Sequence, residues 1–343
     1  MNKHIHSLLL AGTALALVSC GGGKSKNNDK AAVTTVYAAG NELGADSKSH
    51  AMLWTDGAAR QLSGNPSRAY SVFVSGSNVY VAGAEDGSDG NPRATLWKNG
   101  VAQRLSDLES EAASVFVSGN DVYVAGYDTS RLYDSMYNVT LWKNGANQNI
   151  LSDYNSPART LAPVSVSGSD VYVGFTLLGD AIIKNGVQEM KVNPSGSARI
   201  NALYASGNTL HCAGWWRGTD GPSRAVIFKV VGSDVTPQYL DAGASNANSV
   251  FVSGSNVYAA GYTGGTAAER RAKVWKDGAA QALSDSRSEA SSVFVSGGDV
   301  YVGGSEYVGG NNAGDERARV WKNGAAQSLS NRQSSVASVY VVK

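Results

Sequence analysis

Cysteine and histidine are scarce in this 343-residue chain, with two cysteines and four histidines. Cys20 and Cys212 cannot make the disulfide framework of a small secreted domain. Beyond the first few residues the histidines are His50 and His211, so the sequence offers no His/Cys metal cluster and no Ser-His-Asp or Cys-His set. An excess of one charge sign is missing too. The 29 basic and 28 acidic residues nearly cancel, which removes the footprint of nucleic-acid binding. The apolar run SLLLAGTALALV at 7–18 falls short of the roughly 20 residues a membrane-spanning helix needs.

That run follows Lys3 and reads as an export signal over residues 1–19, removed on maturation. It ends in Leu17-Val18-Ser19-Cys20, which resembles the lipobox of bacterial lipoproteins. The resemblance implies that Cys20 is lipidated and becomes the first mature residue, anchored to a membrane through its acyl chains. Gly21 stands where an aspartate favours inner-membrane retention in the enteric pattern, so the resemblance implies the outer membrane and leaves its face open. The alternative is an ordinary secretory signal with an incidental cysteine. Residues 20–33, opening CGGGKSKNNDK, read as a lipidated end and flexible tether.

The rest of the chain is repetition. SVFVSGSNVYVAG at 71–83 returns as SVFVSGNDVYVAG at 114–126, SVFVSGSNVYAAG at 249–261 and SVFVSGGDVYVGG at 292–304. Equivalents of its Val-Tyr pair begin at Val36, Val79, Val122, Val171, Leu210, Val257 and Val300, at spacings of 39 to 49 residues. That period and the valine- and aromatic-rich short runs predict propeller blades of four strands. The Lys-Asn-Gly triplets at 98–100, 143–145, 184–186 and 322–324 predict hairpin turns. The first unit starts at TTVYAAG (34–40) without a preceding SVFVS strand, and the last runs into SVASVYVVK (335–343). Residues 34–343 are therefore expected to form an all-β, seven-bladed β-propeller, the C-terminal strand completing the first blade. The VYVAG…LWKNG repeats resemble those of bacterial secreted and lipoprotein β-propellers, a family that implies the fold and no particular activity.

Strand alternation puts the two stereotyped turns of every blade on one face and the variable loops on the other, where any recognition site is expected. Trp54, Trp97, Trp142, Trp275 and Trp321 recur at one position and read as packing between blades. Trp215 and Trp216 open what reads as a variable loop, WWRGTDGPSR, with Tyr127, Tyr262 and Tyr307 in corresponding places; these are the candidate ligand-binding aromatics. His50, Arg93, Arg224, Arg271 and Arg317 recur at the loop end and read mainly as salt-bridging or backbone-bonding residues. Arg68, Glu111, Thr160, Arg199, Asn246, Glu289 and Ser335 lead into the innermost strands and should ring the channel mouth, a place for a small polar ligand. EDGSDGN at 85–91 suggests calcium at Asp86 and Asp89, although it lacks the terminal glutamate of the twelve-residue calcium loop.

These features favour a monomeric, lipid-anchored module of the cell envelope that recognises a protein partner or a glycan, with no cofactor unless calcium, no nucleic acid and no membrane contact beyond the anchor. One alternative is a carbohydrate-active hydrolase or lyase using loop carboxylates such as Asp128, Asp134, Asp220 and Glu306. Another is a structural envelope lipoprotein.

Overall fold

Short runs of valine, tyrosine and alanine joined by tight turns cannot bury both faces of a lone hairpin, and stacked sheets solve this. The computed structural model describes residues 33–129, 137–148, 151–156, 162–177, 179–192, 197–310 and 313–343. The expected signal, Cys20 and nearly all of the tether fall outside the described residues, as do Asp134 and Thr160. Residues 34–343 form a seven-bladed β-propeller of antiparallel sheets. The second blade is typical: Ser67–Ser75 is innermost, followed outward by Asn78–Asp86, Pro92–Lys98 and Val101–Arg104. The third blade departs from the four-strand rule, since Ala146–Asn147 and Leu151–Ser156 both pair with Tyr137–Lys143. Ring closure follows the expected plan. Ser334–Val342 is the innermost strand of the first blade and pairs antiparallel with Thr35–Leu43, Tyr37 facing Tyr340.

The stereotyped face repeats because its two turns are bonded to each other. In the second blade Asn99 and Gly100 take φ of 53° and 80°, the paired positive values of a tight hairpin turn. The Asn99 side chain accepts the Val79 N–H (2.8 Å) and donates to Asn78 Oδ1 (2.9 Å). Asn144 does the same with Val122 and Asp121, and Asn323 with Val300 and Asp299. A side chain that caps a backbone N–H across two turns leaves little room for substitution.

Between blades, the recurring tryptophans pack as expected. Trp97 of the second blade lies fully buried against Ala39, Ala51, Leu53 and Leu62 of the first, and Trp142 packs likewise on the second. A buried serine fixes each of these junctions. Ser110 Oγ accepts the Ala94 N–H of the preceding blade (2.9 Å) and donates to the Leu108 carbonyl (2.8 Å). Ser67, Ser245, Ser288 and Ser334 make the same pair of bonds. His211 and Cys212 lie inside the fifth blade, and burial pushes the Cys212 thiol far up, out of reach as a nucleophile.

Candidate functional site

The innermost strands carry one irregularity that decides what faces the axis. In six blades their register slips by one residue against the second strand, leaving Tyr70, Ala113, Asn201, Asn248, Ser291 and Ala337 as the extra, bulged residues. A bulge re-aims the side chain it carries. Opposite each bulge stands the glycine of VYVAG, and the two are coupled by space. A Cβ on Gly83 or Gly126 would lie 1.9 Å from the carbonyl oxygen of Arg68 or Glu111, and Gly40, Gly214, Gly261 and Gly304 are as tightly placed. In the fourth blade Phe175 stands in that glycine's place. There the Gly174 N–H donates to the Pro163 carbonyl (3.0 Å), and the described ladder ends before the residue at which the other blades slip.

All six bulged residues line one cavity of about 430 Å3 on the ring axis, to which every blade contributes. Serines from the next position join them, and each accepts a backbone N–H from the following blade. Val115 N–H reaches Ser71 Oγ (3.2 Å), Val164 reaches Ser114 (3.2 Å), Val293 reaches Ser249 (3.1 Å), Val339 reaches Ser292 (3.0 Å) and Val72 reaches Ser338 (3.2 Å). None of these five hydroxyls donates to a protein acceptor among the described residues, so their hydrogens are available to the cavity. Where the fifth blade has Ala202 instead, Asn201 crosses the junction and donates to Asn246 Oδ1 (2.8 Å) and the Ala247 carbonyl (2.9 Å). No side chain lining the cavity carries a charge.

Two residues further along the same strands, an aromatic collar surrounds the axis. Tyr204, Phe251, Phe294, Tyr340, Phe73 and Phe116 touch in that order, with ring centroids 4.5 to 5.0 Å apart. Ser165 takes the corresponding place in the fourth blade and accepts the Ala205 N–H (2.9 Å). The cavity thus opens through the variable-loop face and narrows onto aromatic rings beneath.

The nominated mouth residues stand around that opening, mostly tied up. Arg68 pairs with Asp86 (3.4 Å), Glu111 accepts the Tyr70 hydroxyl (2.9 Å), and Glu289 holds Arg270. Asn246 donates to Asn248 (2.7 Å). Arg199 is the exception; it has no ionic or hydrogen-bonding partner among the described residues.

The nominated aromatics do not form one surface. Trp215 and Trp216 belong to the strand Thr209–Arg217 rather than to a loop, and neighbours on a strand point to opposite faces. Trp215 lies across from Arg199 at the mouth, whereas Trp216 packs at a tilt against Tyr239 (5.3 Å) with Arg224 over both rings. Tyr127 is buried in its strand beside Glu111, so it adds nothing to the exposed face. Tyr262 and Tyr307 do come together with charged groups between the sixth and seventh blades. Arg270 lies over Tyr262 (4.4 Å), and Arg287 over Tyr307 (3.8 Å). Burial pushes the nearby Glu316 carboxyl above the ordinary range, and the Glu289 charge adds to this against a Ser305 hydrogen bond and Arg287.

The loop-end residues bond as read. Arg271 and Arg317 donate to backbone carbonyls, Arg93 and His50 to Asp89 and Asp46, while Arg224 stacks instead. At the suggested calcium loop, Asp86 is held by Arg68 and Asp89 by Arg93 and Asn91. Among the described residues no group of three or more His, Cys, Asp and Glu is placed to hold a metal. Asp128, Asp220 and Glu306 belong to the third, fifth and seventh blades, none adjacent, and Glu306 is engaged by Arg319 (2.8 Å).

Solved structures share this architecture. The β-propeller domain of the Trilobed protease from Pyrococcus furiosus is similar at a TM-score of 0.54 and 11% identity, over 87% of this chain and 92% of that one. Pyrococcus horikoshii acylaminoacyl peptidase matches at 0.52 and 10% identity, over 87% of this chain and 50% of that one. The WD40 β-propeller domain of Doa1 matches at 0.50 and 14% identity, covering 78% and 85% respectively. At such identities the likeness shows the fold alone. No protein-family model and no curated protein matches the chain.

Proposed function

We propose that the chain is a binding module of the bacterial cell envelope, lipidated at Cys20 on the outer membrane, whose loop face recognises a glycan or a protein partner. The observation that carries this reading is the cavity open to that face and lined by uncharged donors. A rigid frame that presents such a cavity without a paired acid and base suits recognition better than bond cleavage. The separation of the loop carboxylates weighs in the same direction.

Photo-crosslinking in cells tests it. A photoreactive residue at Tyr262 or Tyr307, on the loop face, is expected to capture a partner or glycan, and one at Lys322, on the turn face, is not. Equal capture from both faces, or none from either, refutes loop-face recognition. In the same cells Cys20→Ala should release the protein from the membrane fraction, and continued retention refutes the anchor.

A further inference from the structure

We infer that the axial cavity is a binding site for a neutral saccharide of one or two rings. This deepens the proposed function and rests on it. The argument starts from where the repeats differ. The residues flanking each bulge are nearly constant, alanine before it and serine after it, because both serve blade packing. The bulged residue is not held to one such bond and varies between blades: Tyr70, Asn201 and Asn248 each reach the following blade, whereas Ala113, Ser291 and Ala337 make no bond across the junction among the described residues. A position that the fold re-aims at one point in six blades, and fills with four residue types, has the character of a lining chosen for its contents.

The chemistry of that lining is specific. Ser71, Ser114, Ser249, Ser292 and Ser338 have their oxygens occupied by backbone N–H groups and their hydrogens uncommitted among the described residues. A ring of donors arranged around an axis suits a ligand bearing acceptor oxygens on its perimeter. Ser291 adds a hydroxyl with no protein partner among the described residues, and the Asn201 carboxamide oxygen adds an acceptor. Apolar contact comes from Ala113, Pro163 and Ala337 on the wall and from the collar of Phe73, Phe116 and their neighbours below. Equatorial hydroxyls with apolar C–H faces are what such a pocket would match. The volume, about 430 Å3, is in the range of small-ligand sites and too small for a folded partner. The lining itself carries no charge and Arg68, Glu111 and Glu289 at the mouth are engaged, so the wall favours a neutral ligand, and Arg199 at the rim, unpaired among the described residues, is the group an anionic one would use.

Isothermal titration of the full chain, held in a sugar-free detergent, against galactose, N-acetylglucosamine, maltose, cellobiose and diacetylchitobiose tests the inference. At least one is expected to bind with Kd below about 1 mM, and Ala113→Trp, which fills the cavity, should weaken it at least about tenfold. Ala337→Leu, a smaller filling two blades round the ring, should weaken it in the same direction if the tryptophan variant does not fold. Binding that survives both fillings places the sugar elsewhere on the loop face, which overturns the inference and leaves the proposed function standing. Failure of every sugar overturns the inference as well, and crosslinking to a protein then decides the broader reading. A glucuronate that binds more tightly than the neutral sugars, and loses that advantage in Arg199→Gln, overturns the neutral class.

Discussion

Replacing Gly126 by alanine places a methyl carbon 1.9 Å from the Glu111 carbonyl oxygen and 3.0 Å from the Ala112 Cα. Both are backbone atoms in a strand held on each side, so no rotamer change relieves the contact. The bulge must open by more than an ångström or the two strands must part. Gly174→Ala is the control for added volume alone, because Gly174 holds the place that Ala82 and Ala125 hold in other blades, one residue before the crowded glycine, and its nearest neighbour is a side-chain atom, Pro163 Cγ, at 3.1 Å. Overpacking costs about 1–3 kcal/mol, and loss of glycine freedom in the unfolded chain returns roughly 0.4–1 kcal/mol. A rigid backbone collision belongs at the upper end, so Gly126→Ala should destabilise by about 2 kcal/mol net and Gly174→Ala by less than about 1 kcal/mol. Equilibrium urea unfolding followed by tryptophan fluorescence reads the difference. Gly126→Ala with Gly261→Ala, in blades that do not touch, should approach the sum of the two single losses. Equal stability of the Gly126 and Gly174 variants would falsify the coupling of glycine to bulge.

Ser110→Ala removes the acceptor of the buried Ala94 N–H and is expected to cost about 1–3 kcal/mol, measured by the same unfolding curves; a loss under about 0.5 kcal/mol refutes its role as a junction pin. Burial, aided by the Lys229 charge, holds the His211 imidazole below its ordinary 6.5. The folded protein therefore binds fewer protons than the unfolded chain as pH falls through about 6.5, and this contribution to stability, full above that pH, declines toward the lowered folded value. His211→Tyr, which restores the residue of the other blades, should flatten the stability profile below about pH 6.5, and an unchanged slope excludes His211 as its source.

The blade number and the split first blade were legible because their signals are redundant. Seven Val-Tyr equivalents set the period, and the missing first strand at Thr34 matches the surplus strand at the C-terminus. The cavity lining was not. Alternation tells which way a strand residue points only while the register holds, and a one-residue slip at Tyr70 or Asn201 reverses the reading from there on. A signal was nonetheless present: within S-x-A-x-S-V-F-V the second variable position changes from Tyr70 to Ala113 to Asn248 to Ser291 while its surroundings stay fixed. Trp215 and Trp216 failed as a platform for a related reason, since a loop reading ignores the opposite orientations that a strand imposes. That Arg68, Glu111 and Glu289 begin their strands could be read without register, because a strand's starting point follows from its repeat alone.

The strand that seals the ring has a consequence for how the molecule comes into being. Residue 35 meets residue 342, so the seal joins segments separated by nearly the whole fold, and bringing such ends together from a loose chain costs roughly 5 kcal/mol of closure entropy. Of the ring's strands, synthesis delivers the latch last. Until Ser334–Val342 has emerged, the sheet edge at Thr35–Leu43 stands open and the seventh blade lacks the strand that packs against three of its own. The ring therefore cannot close before its final strand is made, and any factor that escorts the chain must shield that edge until Ser334–Val342 arrives.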